Sequence, residues 1–119
     1  MFSCLNVLFG GSRKIIFLLI LAVFIPTIAS AAPKDQSRWD KRYDIDGFLF
    51  GSKPIRFLKE NVNLLPKGRA LDLAMGEGRN GVYLATQGFD VLGLDISPVG
   101  LDKAHQLAEH NKVKIETRV

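Results

Sequence analysis

Cysteine is nearly absent from this 119-residue sequence: Cys4 is its one example, so no internal disulfide can staple the fold. Cys4 also precedes the long apolar run instead of following it, which excludes a lipid-modified cysteine at a mature N-terminus. Histidine is scarce. His105 and His110 lie five positions apart, about 140° around a helix, and cannot easily share a metal; no metal site is expected. An excess of one charge is lacking too. The net charge is +4, and setting aside residues 1–31, which hold Arg13 and Lys14 but no acid, leaves 14 basic against 12 acidic side chains. Those charges are interspersed, without the basic block that a nucleic-acid surface needs.

What is present at the N-terminus is a charge-free run, IIFLLILAVFIPTIASAA, from Ile15 to Ala32. Arg13 and Lys14 ahead of it, Pro26 within it and Ala29-Ser30-Ala31 at its end have the layout of a cleavable secretory signal. Cleavage after Ala31 would leave 88 residues and an exported domain. The alternative is an uncleaved membrane anchor, since 18 uncharged residues just reach spanning length. Lys34, Arg38, Lys41 and Arg42 behind the run would then hold the domain in the cytoplasm.

Residues 32–68 read as a leader segment. A short helix is expected around Arg38 to Tyr43, and a second from Ser52 to Asn61 with Ser52 as cap and Pro54 in the first turn. From Arg69 short apolar runs alternate with helical patterns, as in βαβ units. Strand one is Ala70 to Ala74, its helix Arg79 to Gln87 with Gly88 as stop, and strand two Asp90 to Leu94. Ser97 and Pro98 start a further helix that reaches Asn111, and Val113 to Val119 opens a third strand. The fold class is α/β: a Rossmann-like, doubly wound parallel sheet, expected to be truncated after the third strand and so to hold the 3-2-1 half of the order. Strand one would then be an unpaired apolar edge that a further stretch or another chain completes.

The chemistry concentrates in ALDLAMGEGRNG, residues 70–81, which carries G-x-G-x-x-G at Gly76, Gly78 and Gly81. Gly76 permits the tight turn, Gly78 lets a ligand approach the backbone, and Gly81 lets the helix pack close to the strand. Asp95, at the tip of strand two, is placed to accept hydrogen bonds from ribose hydroxyls. Asp72, inside strand one, separates the candidate ligands. A pyrophosphate at the helix start would be repelled by it, whereas a ligand with an ammonium and a sulfonium would compensate it. Arg79 at the helix start opposes the helix dipole, a conflict that a carboxylate ligand would relieve.

ALDLAMGEGRNGVYLA followed by GFDVLGLDIS resembles motif I and the following acidic strand of class I S-adenosylmethionine-dependent methyltransferases. Trp39-Asp40-Lys41-Arg42-Tyr43, Phe50-Gly51-Ser52-Lys53-Pro54 and Phe57-Leu58 are similar to the leader of the tellurite-resistance and thiopurine type. The resemblance covers about residues 37–119 and makes 69–119 part of a donor-binding domain. It implies S-adenosylmethionine as cofactor, with Asp72 toward the methionine amino group and the backbone of Ala74 to Gly78, Met75 and Gly76 included, lining methionine and ribose. Arg79 and Asn80 would complete the site, Asp95 would take the ribose hydroxyls, Ile96 would lie against adenine, and Trp39 and Tyr43 would cover the donor. The motifs say little about the substrate, so the methyl acceptor is expected to be a small molecule or is left open; no catalytic acid or base is assigned. The alternatives are a fragment of an NAD(P)-dependent oxidoreductase, against which Asp72 speaks, and a noncatalytic nucleotide-binding module.

Overall fold

A computed structural model describes residues 32–119; the expected signal or anchor lies outside them. Helix α1 (Ala32–Tyr43) is followed by an irregular strap, helix α2 (Arg56–Asn61) and a single 3₁₀ turn (Val62–Leu64). Then come strand β1 (Arg69–Leu73), helix α3 (Arg79–Thr86), strand β2 (Asp90–Leu94), helix α4 (Pro98–His110) and strand β3 (Glu116–Arg118). The three strands are parallel in the order β1-β2-β3, the expected half-sheet. Helices α3 and α4 pack against each other on one face, the arrangement that right-handed crossovers give. Among the described residues, no helix is long and apolar enough to cross a membrane.

Register decides what each face carries. Ala70 pairs with Val91 and Asp72 with Gly93, so in a pleated sheet these four share the helix-covered face. Val91 there joins Met75, Phe89, Leu101, Ala104 and Val62 in the core. Leu71 and Leu73 alternate to the other face and stay 58% and 66% exposed.

Three expected boundaries differ by more than one residue, two of them because a backbone amide has another partner. α1 starts earlier than Arg38, at Ala32, with Asp35 in its first turn where the dipole favours an acid. α2 starts at Arg56 and not near Ser52: the Ile55 amide donates to Asn80 Oδ1 at 3.1 Å, holding Ile55 extended at ψ 146°. β3 is three residues long, because the Val113 amide turns back to Ala108 O at 3.0 Å after Lys112 takes a left-handed φ of 57°. The α4 start is as read, with Ser97 Oγ accepting from the Gly100 amide at 3.1 Å.

Gly78 has a different task from the one its spacing suggests. It adopts φ 84° at the start of α3 and is buried. A Cβ there would lie 2.6 Å from Ala104 Cβ and 3.0 Å from Ala104 Cα, so its bareness serves α3–α4 packing and not ligand approach. Gly88 has nearly the same φ, 85°, with nothing within 4 Å of a Cβ. Gly88→Ala therefore isolates the backbone cost, about 1 kcal/mol, while Gly78→Ala adds overpacking against backbone and loses a further ~1–3 kcal/mol. Urea denaturation of the two variants is expected to show that gap; equal losses would remove the packing role.

Candidate functional site

The C-terminal ends of β1 and β2 open into a cleft of about 600 Å³, where a parallel sheet presents its ligand crevice. Asp72, Ala74, Met75, Gly76, Arg79, Asn80, Asp95, Ile96, Trp39 and Tyr43 line it. Gly78, expected among them, does not; it is packed against Ala104. Met75 borders the cleft, but its side chain belongs to the core.

Asp95 organises the floor. Its Oδ2 accepts from the Gly76 amide at 2.7 Å and its Oδ1 from the Ser97 amide at 2.8 Å, which fastens the loop after β1 to the loop after β2. Each oxygen keeps a lone pair for a further donor. Gly76 turns at φ 55° directly beneath Tyr43, whose hydroxyl would lie 2.6 Å from a Cβ at that position. The preceding Ala74 takes φ 55°, a strained conformation for a residue with a side chain.

Asp72 is the anomaly. Its Oδ2 is buried without a hydrogen-bond partner. Burial pushes the carboxyl above its ordinary value, the Gly81 backbone amide pulls it partly back, and Asp95 adds to the rise. Tyr43 is buried as well. Burial, then Asp95 and Glu77, raise its phenol against a smaller lowering by Arg42, so it stays protonated at neutral pH and can serve as a hydrogen-bond donor.

The roof is α1 and the strap behind it. Trp39 and Tyr43 stack, ring centroids 5.5 Å apart. Arg79 Nη1 donates to Phe50 O at 3.1 Å, giving it a protein partner in addition to its face on the cleft. Glu77, within the expected Ala74 to Gly78 stretch, lines the cleft too, and so do Phe50, Gly51, Leu73 and Leu94, to which the sequence assigns no role in the site. Phe50-Gly51 sits in the recognisable leader stretch, the signal that could have found them. Among the described residues no cluster of three His, Cys, Asp or Glu gathers to hold a metal.

The sequence model of the family described as "Tellurite resistance protein TehB" matches residues 34–119. The chain belongs to the TehB family. This TehB-family chain is 32% identical over 92 residues to a tRNA (uracil(54)-C(5))-methyltransferase of Pyrococcus horikoshii, covering 66% of this chain and 23% of the relative. It is 47% identical over 45 residues to an uncharacterized methyltransferase of Synechocystis, covering 38% and 21%. It thus spans under a quarter of the length of these curated relatives. The crystal structure of TehB from Haemophilus influenzae superposes with a TM-score of 0.51 at 21% identity, over 71% of this chain and 27% of that one, which shows the shared fold.

Asp72 yields a signed test. A carboxyl held above the ordinary 3.8 in the folded state binds more protons folded than unfolded. Its contribution to stability therefore falls as pH rises from that value through the raised one, and is flat above. Asp72→Asn is expected to stabilise the ligand-free protein at pH 7, by about 0.5–1 kcal/mol once partial solvent screening is allowed for. It should also flatten stability against pH over that window. Thermal unfolding from pH 3 to 8 checks this; a less stable variant at pH 7 would count against an unsatisfied carboxylate.

Proposed function

We propose that this chain binds S-adenosylmethionine and forms the donor-binding part of a methyltransferase with a small-molecule acceptor. The observation that carries the proposal is the unpartnered, buried Asp72 Oδ2 at the cleft beside the glycine turn. An isolated buried carboxylate is costly, and an ammonium is the ligand group that satisfies it. A pyrophosphate would add repulsion.

The residues fit the methionine and ribose ends of the donor. Asp72 would hold the amino group, and the remaining guanidinium N–H groups of Arg79 would face the carboxylate. The free lone pairs of Asp95 would take the ribose hydroxyls, and Ile96, 43% exposed, would lie against adenine. Trp39 and Tyr43 would close over them and exclude water. When bound, the cofactor supplies a methyl group on a sulfonium, open to in-line attack by a nucleophile. What these residues contribute is position and electrostatic complementarity; none is assigned as acid or base.

The balanced, interspersed charges favour a small acceptor over a polyanion, although one relative's name specifies tRNA. Calorimetry on the full chain with S-adenosylhomocysteine and with NAD tests the donor. Binding of the first is expected, and Asp72→Asn should weaken it about 10–100-fold, the worth of one charge-assisted hydrogen bond. Tighter binding of NAD would favour an oxidoreductase instead. Transfer of labelled methyl from the donor to tRNA, and not to small molecules, would overturn the acceptor class.

A further inference from the structure

Lys103 lies outside the cleft, on α4, yet all three of its ammonium protons are committed to structures that border it. Nζ donates to Tyr43 O at 2.7 Å, to Ile45 O at 3.0 Å and to Glu77 Oε1 at 2.9 Å. The side chains of Lys103 and Glu77 are only 13% and 3% exposed, and the Phe48 ring centroid is 5.7 Å from Nζ. The two carbonyls belong to the C-terminal end of α1 and the strap that follows it. Glu77 lies in the glycine turn, between Gly76 and Gly78. One cation thus joins the roof of the cleft to its floor.

A buried ion pair is weak support for stability, because desolvation offsets much of the attraction. This pair is better explained by what it aligns. A cation at a helix C-terminus meets carbonyls that lack intrahelical partners, and here the same cation is fixed by the turn that receives the ligand. Asp40 and Ser97 make the corresponding tie one turn earlier on α1, Ser97 Oγ donating to Asp40 Oδ1 at 2.5 Å. Trp39 and Tyr43, the cleft-lining residues of α1, are therefore held in place by ties from α1 to α4 and to the glycine turn.

We propose that Lys103 is a positioning residue of the donor site, acting through Glu77 to dock α1, and with it Trp39 and Tyr43, over the glycine turn. The proposal rests on the donor-binding reading above. The apparent affinity falls in proportion to the docked fraction: if removal of the cation leaves α1 docked a tenth of the time, the donor binds about tenfold more weakly.

The test compares the full chain with Lys103→Met, the charge-neutral double variant Glu77→Gln/Lys103→Met, and Lys103→Arg. Trp39 is the single tryptophan, so its emission reports α1 alone. Amide exchange compares residues 36–50 with 91–94, and calorimetry reads S-adenosylhomocysteine. Expected are red-shifted Trp39 emission, faster exchange confined to 36–50 and about tenfold weaker binding in both methionine variants, with substantial recovery in Lys103→Arg. The double variant removes the complication of a stranded buried Glu77 charge. Unchanged emission and exchange would overturn the proposal. So would loosened α1 with unchanged binding, or loss of protection at 91–94 together with 36–50 in both methionine variants, since the pair would then support the core. If the wild-type chain binds no S-adenosylhomocysteine, the donor reading falls by itself, and emission and exchange still decide whether Lys103 docks α1.

Discussion

The Asp95 carboxylate is the interaction on which the rest of the site depends. Parallel register carries β1 and β2 side by side as far as Leu73 and Leu94, and the Met75 amide extends the pairing by donating to Leu94 O at 3.0 Å. Beyond that point the two chains part, one into the glycine turn and one toward α4. Asp95 spans the gap, with one oxygen on the Gly76 amide and the other on the Ser97 amide. Charge-assisted hydrogen bonds of this kind are about twice as strong as neutral ones. They fix Ser97 so that its hydroxyl can both cap α4 and reach Asp40 on α1. Floor, wall and roof of the cleft are thereby registered from one side chain.

Two further acids border the same turn, and their surroundings give them opposite characters. Glu77 is nearly sealed from solvent but satisfied, by Lys103 on one oxygen and, at a longer 3.4 Å, by the Phe50 amide on the other. It is a structural charge. Asp72 has no such partner on Oδ2, and the folded protein carries the cost of its ionisation. Unsatisfied buried charge is rare in proteins because it is expensive, so it marks a place where something else is expected to bind.

Much of this was legible in the sequence. The alternation of apolar runs and helical patterns located β1, α3, β2 and α4 to within a residue or two, since strand-to-helix punctuation is local: Gly88 stops one helix and Ser97-Pro98 starts the next. Asp72 and Asp95 were legible because their positions relative to the glycines are a short-range pattern. What escaped is carried by contacts across long sequence separations. Nothing near Lys103 distinguishes it from other helix lysines; its partners Tyr43 and Ile45 lie 60 and 58 residues away. Likewise the true neighbour of Gly78 is Ala104, on another helix. The start of α2 is hidden from local sequence for the same reason, an amide bonded to Asn80, 25 residues on.

The glycines also set the electrostatics of Asp72. A Cβ at Gly93, its register partner on β2, would collide with Met75 Sδ and Cε. A Cβ at Gly81 would collide with Met75 Cε and come within 2.9 Å of Asp72 Oδ2. Met75 can fold into this space only because both positions are bare, and its thioether and the Asp72 carboxylate both border the space beside Gly81. Burial is the leading cause of the raised Asp72 carboxyl, and these two glycines leave room for an apolar side chain on the sheet face that Asp72 shares. The spacing that first reads as a fingerprint for a nucleotide backbone therefore acts on charge as well. It creates a desolvated acid at the mouth of the strand, where the free energy of satisfying it becomes available to a cationic ligand.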